Sequence, residues 1–171
     1  MRVYISGKIG EEVISDATRQ KFAKAEEMLR AKGYEVFNPC GFEWQGALHM
    51  NWKVAETTVG VGGVIDRYGY YLLKDIQKLA VCDAVYFLED WRKSPGATSE
   101  YFFAKATGKR MFFQDRHEAC EYLVRRMYKE KKDGILPAIY LKIPRADAEI
   151  EYGRKHLDEA WLPIEGKEAA P

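Results

Sequence analysis

The chain has 171 residues, 47% of them hydrophobic and 31% charged, which is typical of one globular domain with a sizeable core and a small appendage. Lys and Arg number 27 against 26 Asp and Glu, so the formal net charge of +1 gives no electrostatic basis for binding a long nucleic acid. No apolar run reaches the length of a membrane span, and the N-terminus lacks a long apolar signal region. We therefore expect a cytoplasmic protein without a membrane partner.

The first third of the chain is predicted to form a strand, a loop, a helix and a second strand. Val3 to Ser6 is an apolar run typical of a short buried strand. Asp16 opens a helix to about Lys32, with an apolar stripe at Phe22, Ala25 and Leu29. Tyr34 to Phe37 is the second predicted strand.

The segment from Cys40 to about Tyr68 breaks this pattern. It contains a glycine-rich run at Val59 to Gly63 and a stretch of helical character near Asn51 to Glu56. A loop of this length inside a compact domain is usually functional or mobile.

Helices and strands alternate again in the second half of the chain. A helix over Gly69 to Ala80 has its predicted inner face at Leu72, Leu73, Ile76 and Leu79. The further predicted elements are a strand over Asp83 to Leu88, a helix from Ser94 to about Thr107, a strand over Arg110 to Phe113, a helix over His117 to Lys131, a fifth strand over Ala138 to Ile143 and a helix over Ala146 to Ala160. The tail GKEAAP is expected to be disordered.

This order predicts an α/β fold with a doubly wound, mostly parallel five-stranded sheet and helices on both faces, as in Rossmann or flavodoxin folds. Residues 1–145 are assigned to this domain, and residues 146–171 to a C-terminal helical extension and tail. Sheets of this class bind ligands outside the carboxyl ends of their strands.

Glu100 is the first candidate for chemistry because it shares a helix face with Ala97 and Ala104, which point toward the core by spacing. A glutamate there is costly unless it is paired or placed at a pocket. The pattern alone leaves an exposed helical glutamate open. For Asp75, on the preceding helix, the pattern by itself favours a solvated side chain. Tyr4 would need a partner for its phenol if it is buried.

Two loops offer groups for binding a ligand. The loop after the first strand combines backbone N–H groups with a hydroxyl and a cation at Ser6, Gly7 and Lys8, which suits a phosphate but matches no phosphate-loop motif. Ser94 reads as a helix N-cap, with Gly96 two residues later, and Asp90 ends the third strand nearby. Ser94 is explained by capping alone, although its hydroxyl also suits an anion.

The cysteines and histidines show no metal-ligand spacing, so we assign no metal site and expect free thiols. The residues concerned are Cys40, Cys82, Cys120, His49, His117 and His156.

Four segments in this order resemble the nucleoside 2-deoxyribosyltransferase-like family, which includes deoxyribosyltransferases, nucleoside 5′-monophosphate N-glycosidases and small uncharacterised bacterial and phage proteins. They are VYISGKI at residues 3–9, AEEMLRAKGYEVFNP at 25–39, DIQKLAVCDAVYFLEDW at 75–91 and SPGATSEYFFAKATGKRM at 94–111. The resemblance covers about two thirds of the chain.

The resemblance implies a role for each matching residue. Glu100 matches the nucleophilic glutamate, Asp75 the carboxylate that contacts the base, and Tyr4 the tyrosine that helps position the nucleophile. Ser94 falls where the transferases have an acidic residue that contacts the sugar and the monophosphate hydrolases a serine that helps bind the 5′-phosphate. Lys8 departs from the hydrolases, and the insertion at residues 40–68 is longer than the family core needs.

The expected function is therefore hydrolysis of the N-glycosidic bond of a nucleoside 5′-monophosphate, with a deoxynucleotide favoured and with no cofactor. The resemblance also implies a homodimer or larger homo-oligomer. A base-exchanging transferase and a non-catalytic nucleotide-binding module remain alternatives. A dinucleotide enzyme is disfavoured because no GxGxxG follows the first strand. Trp44, Trp52 or Tyr71 could stack on the base or belong to the core.

Overall fold

The structure is a computed structural model, and it describes residues 1–11, 13–41, 43–49 and 66–164. Its contacts divide the chain into two compact units, Met1–Met111 and Phe112–Pro171. The sequence prediction had placed the division after residue 145. The two units are described in turn.

A four-stranded, all-parallel sheet forms the centre of the fold, in the order β2-β1-β3-β4. Its strands are β1 (Arg2–Ser6), β2 (Glu35–Phe37), β3 (Ala84–Phe87) and β4 (Arg110–Phe113). β1 pairs with β2 on one side and β3 on the other, so that Tyr4 lies opposite Phe37 and Val85. The α/β fold is confirmed, and the described residues form four strands where the sequence predicts five.

The helices of the first unit begin where the sequence supplies capping side chains. They are α1 (Asp16–Ala31), α2 (residues 43–49), α3 (Arg67–Ala80) and α4 (Pro95–Ala106). Ser15, Asp66 and Ser94 each accept a hydrogen bond from a backbone N–H in the first turn of the helix that follows.

The predicted apolar faces of these helices are confirmed in large part. Phe22, Ala25 and Leu29 of α1 are fully buried, as is Leu79 of α3. The other predicted positions of α3 are less enclosed, because Leu72 and Ile76 are half-buried and Leu73 is 54% exposed. Residues 84–88 are also fully buried, as expected for a strand covered on both faces.

The predicted fifth strand is wrong, because Ala138–Leu141 forms a 3₁₀ helix. Pro137 and Pro144 bracket this segment, and neither has an N–H for a sheet ladder. The N–H of Tyr140 donates to the Pro137 carbonyl at 3.1 Å, which closes the turn. Tyr140 is buried while Ile139 and Leu141 are exposed, and this difference arises from the tight turn rather than from a strand.

The second unit consists mainly of α5 (Arg116–Lys132) and α6 (Arg145–His156). Leu123 and Met127 of α5 and Tyr152 of α6 are buried in its core. The predicted last helix ends earlier than expected, and a 3₁₀ turn over Leu157–Glu159 follows it.

Some predictions lie outside the described residues. These are the helical stretch near residues 51–56, the glycine-rich run at 59–63, the side chain of Trp52 and the disordered tail at 166–171. In the part of the chain that is described, no helix has the length and apolar character needed to cross a membrane.

Gly7 marks a close approach between the end of β1 and Leu88. A Cβ atom at residue 7 would lie 2.6 Å from Leu88 Cδ1 and 3.1 Å from Leu88 Cβ. Leu88 is fully buried and has little room to move away. Glycine is therefore required here by packing, which adds a structural role to its predicted place in a ligand-binding loop.

We expect Gly7→Ala to lower the free energy of unfolding by about 1–3 kcal/mol, because it overpacks this contact. Urea denaturation measures the effect. The double variant Gly7→Ala/Leu88→Ala should lose less stability than the sum of the two single variants, since the second change makes room for the first. Gly46→Ala, where a Cβ meets nothing within 4 Å, is the control. Additive losses would contradict the packing explanation.

Candidate active site

The candidate site lies at the carboxyl end of β1, where α4 brings a glutamate against the strand. Tyr4 and Ser6 are two residues apart and so project from the same face of β1. Glu100 lies on the second turn of α4. The side chains are almost fully enclosed, because Tyr4 is 0%, Ser6 1% and Glu100 6% exposed.

Each carboxyl oxygen of Glu100 accepts one hydrogen bond from a hydroxyl of β1. The phenol of Tyr4 donates to Oε1 at 2.6 Å, and the hydroxyl of Ser6 donates to Oε2 at 2.6 Å. Distances of this length are typical of hydrogen bonds to an ionised acceptor. The two donors therefore fix the plane of the carboxyl group from both sides.

The protonation of Glu100 reflects two opposed influences. Burial raises the pKa of Glu100 to about 8, while the hydrogen bonds from Ser6 and Tyr4 act to lower it. The charge of the nearby Asp75 contributes to the rise. The pKa of Glu100 therefore lies close to neutral pH. Burial, followed by the charge of Glu100, also holds the pKa of Tyr4 well above its ordinary value.

Asp75, on α3, is the second carboxyl group of the site. The indole Nε1–H of Trp44 donates to Asp75 Oδ1 at 2.8 Å. Burial raises the pKa of Asp75 to about 7, and the bond from Trp44 opposes that rise. When Asp75 is protonated, the indole bond to Oδ1 favours Oδ2 as the oxygen that carries the proton.

Aromatic rings line the site beside these carboxyl groups. Tyr4 stacks on Phe37 with ring centroids 5.5 Å apart, and Phe37 meets Trp44 edge-on at 5.2 Å. The ammonium of Lys78 lies 4.9 Å from the centroid of the Trp44 ring. Trp44 was predicted to stack on a base or to belong to the core, and its indole is seen to hold Asp75. Tyr71 packs against Tyr70 with centroids 6.3 Å apart.

Asp90 holds the loop between β1 and α1 in place through hydrogen bonds. Its Oδ1 accepts the backbone N–H of Lys8 at 3.0 Å, and its Oδ2 pairs with the ammonium of Lys21 at 2.5 Å. Lys21 also donates to the backbone carbonyl of Lys8 at 2.8 Å. We call Asp90, Lys21 and the backbone of Lys8 the loop clasp. The Lys8 side chain is exposed, and both carboxyl oxygens of Asp90 are occupied within the chain.

The first turn of α4 has its amide groups already engaged. Ser94 Oγ accepts the N–H of Ala97 at 3.2 Å, which leaves the Ser94 hydroxyl proton for a second partner. The N–H of Gly96 donates to the phenol oxygen of Tyr68. A Cβ at residue 96 would lie 3.1 Å from this oxygen, so glycine makes room for the contact. An anion at this helix end would have to replace Tyr68.

The structure thus brings together Tyr4, Ser6, Asp75 and Glu100, and places Ser94 and Gly96 at the start of the helix that carries Glu100. Sequence reasoning missed Tyr68, which directly precedes the predicted helix start. It also missed the contact of Ser6 with Glu100, for which the two-residue spacing from Tyr4 was the available signal.

No group of three His, Cys, Asp or Glu side chains that could hold a metal ion occurs within residues 1–11, 13–41, 43–49 and 66–164. What the site offers chemically is a buried carboxylate beside a carboxyl group able to exchange a proton near neutral pH.

We expect the stability of the protein to fall as pH rises because of Glu100. Its pKa is raised by folding from about 4.5 to about 8, so ionisation across that range costs the folded state more than the unfolded state. Urea denaturation between about pH 5 and about pH 8.5 should show a decline for the wild type that Glu100→Gln reduces. Glu27→Gln, on the exposed side of α1, is the control. Parallel curves for the wild type and Glu100→Gln would contradict the raised pKa.

Comparison with known proteins gives a family without an assigned activity. No curated protein and no solved structure matches the chain significantly. The sequence model of a family described as a domain of unknown function, DUF4406, matches residues 1–113, which include every residue of the candidate site. Because the match covers more than half of the chain, the protein belongs to the DUF4406 family.

Proposed function

We propose that this protein is an N-glycosidase that hydrolyses the N-glycosidic bond of a nucleoside 5′-monophosphate, with a deoxynucleotide as the expected substrate. The observation that carries the proposal is the buried carboxyl of Glu100, held by two hydroxyl donors within electrostatic reach of Asp75. The sequence resemblance to the nucleoside 2-deoxyribosyltransferase-like family supports the same assignment.

In the first step, an ionised oxygen of Glu100 attacks C1′ of the sugar. A C–O bond forms, the C1′–N bond breaks, and its electron pair leaves with the base. The base nitrogen takes up a proton, for which Oδ2 of Asp75 is the donor in this proposal. The enclosed carboxylate suits this step, since burial strengthens its electrostatic interaction with the positive charge that develops at C1′.

In the second step, water adds to C1′ and the bond to Glu100 breaks. The carboxylate is regenerated, and the ionised Asp75 accepts the proton that water loses. The sum is one water consumed, one free base released and one sugar phosphate released. Retaining glycosidases divide their reaction between two carboxyl groups in the same way.

The productive form of this pair has Glu100 ionised and Asp75 protonated. The pKa of Glu100 is raised to about 8 and that of Asp75 to about 7, so this form is a minor one that is most populated near neutral to mildly alkaline pH. The rate should therefore follow a bell-shaped curve whose two inflections belong to the pair.

The proposed preference for a 5′-phosphate rests on two side chains, one in the loop after β1 and one at the start of α4. Ser94 retains a hydroxyl proton for an anion, and the exposed ammonium of Lys8 belongs to a loop that the clasp holds in place. A phosphate seated against the Gly96 N–H would replace the phenol of Tyr68. The Ser94 hydroxyl and the Lys8 ammonium therefore support the monophosphate hydrolase over a transferase acting on unphosphorylated nucleosides.

Mass spectrometry of ribo- and deoxynucleosides and their 5′-monophosphates, incubated with and without a competing base, tests the function. We expect free base and sugar phosphate from the wild type, and about 10³-fold less or lower from Glu100→Gln. Glu27→Gln should retain the wild-type rate. Exchange of bases would make the protein a transferase. Bound but unchanged nucleotide throughout would make it a binding module.

The homo-oligomer implied by the resemblance belongs to the same proposal. Light scattering of the purified protein measures its mass in solution, and a monomeric mass would remove this part of the proposal.

We expect Trp44→Phe to change the rate on the alkaline side only. The indole bond lowers the pKa of Asp75, so its loss raises that pKa and keeps Asp75 protonated at higher pH. Relative to wild type, kcat/KM should rise at about pH 9.5 and stay unchanged at about pH 6, where Asp75 is protonated in both proteins. Phenylalanine retains a ring against Phe37. An equal change at both pH values would indicate lost packing instead.

A further inference from the structure

Ser6 contributes more to the site than its place in the sequence indicates. It was predicted to bind substrate as part of the loop after β1. Its side chain is instead 1% exposed, and its hydroxyl lies 2.6 Å from Oε2 of Glu100. A side chain so enclosed and so closely engaged offers little to a ligand.

We infer that Ser6 is a positioning residue that, together with Tyr4, holds the carboxyl group of Glu100 in one orientation and favours its ionisation. The inference deepens the proposed function and rests on it, because it takes Glu100 to be the nucleophile. It changes the role of Ser6 from a substrate ligand to a group that acts through Glu100.

The two hydrogen bonds at this carboxyl group carry the inference. An ionised carboxylate only accepts hydrogen bonds, and here it receives one hydroxyl proton on each oxygen. Protonation of Glu100 would remove the negative charge of the acceptor and so weaken both bonds. The pair of donors therefore favours the ionised form, which is the form that attacks C1′.

The hydrogen bonds also leave the carboxylate able to react. Each carboxylate oxygen has about two lone-pair sites, so one remains on each oxygen after the β1 hydroxyls are satisfied. The two donors restrict rotation of the carboxyl group. Because the nucleophile is already held in one orientation, it loses less entropy on reaching the transition state.

The backbone of Ser6 is rigid enough to serve this role. Ser6 ends β1 opposite Phe87 of β3, and its carbonyl accepts the N–H of Leu88 at 2.9 Å. Gly7, the next residue, packs so closely on Leu88 that a Cβ atom at this position would clash with the leucine side chain. The hydroxyl is therefore presented from a fixed strand end rather than from a movable loop.

Other ionisable groups also face Glu100. Asp75 of α3 raises the pKa of Glu100 through its charge, Tyr4 of β1 lowers it through its hydrogen bond, and Tyr68 at the start of α3 is itself affected by the Glu100 charge. Ser6 differs from all three because its hydroxyl is a donor that does not titrate. Its removal changes the hydrogen bonding of Glu100 without changing the charge of the site.

Ser6→Ala provides the first test, through the pH profile of kcat/KM for the substrate found with the wild type. Without the donor, Glu100 is harder to ionise, so kcat/KM should fall about tenfold at about pH 6 and approach the wild-type value at about pH 10. Ser6→Thr, which keeps a hydroxyl, should restore the acid side of the profile. Ser99→Ala is the matched control, because it removes a serine hydroxyl that donates to Pro95 on the same helix as Glu100.

Carbon-13 NMR of the glutamate carboxyl carbons provides the second test and needs no activity. The signal absent from Glu100→Gln identifies Glu100, and its titration midpoint should move to higher pH in Ser6→Ala and stay in place in Ser99→Ala. Ser6→Cys, close in size and a weaker donor, should give an intermediate midpoint and serves where Ser6→Ala does not fold.

Each outcome separates the two proposals. An unmoved Glu100 midpoint, or a loss of kcat/KM that is equal at every pH, overturns the positioning role. A rise in KM with kcat unchanged would return Ser6 to substrate binding. A wild type that cleaves no substrate overturns the proposed function and the catalytic part of this inference, whichever way the midpoint moves.

Discussion

The structure of the site depends on one electrostatic constraint, which is that a carboxyl group becomes harder to ionise once it has been taken out of water. Burial raises the pKa of Glu100 to about 8, and only groups that favour the charged form can oppose that rise. The protein opposes it with two neutral hydroxyl donors rather than with a cation. A cation would have lowered the pKa of Glu100 far more, but it would also have neutralised the negative charge that the proposed chemistry needs at C1′.

The parallel sheet explains why these hydroxyls are available at the right place. β1 lies between β2 and β3, so its backbone is fixed on both sides and its alternate side chains point rigidly to one face. α4 begins shortly after β3 and carries Glu100 back toward β1 on a capped helix. The same helix start engages Tyr68 of α3, and α3 also brings Asp75, so two helices converge on one strand end. Convergence at carboxyl ends is the general place for ligands in such sheets.

Local signals account for most of what the sequence could predict. Apolar runs identified the four strands, and capping residues such as Ser94 identified the helix starts, because both depend on neighbours in the chain. The false fifth strand shows the limit of that reasoning, since a short apolar run between two prolines also fits a 3₁₀ turn. Glu100 could be singled out from its helix face. The contacts of Trp44 with Asp75 and of Tyr68 with Gly96 could not, because each joins residues about 30 positions apart that no local pattern relates.

The loop clasp has a consequence for how freely the sequence of this family can change. Asp90 and Lys21 reach residue 8 only through its backbone N–H and carbonyl groups. The geometry of the loop is therefore independent of the side chain at that position, and substitutions other than proline leave the clasp intact. Residue 8 is thus a position at which a cation can be exchanged for a polar or apolar side chain while the loop keeps the hydrogen bonds that hold it.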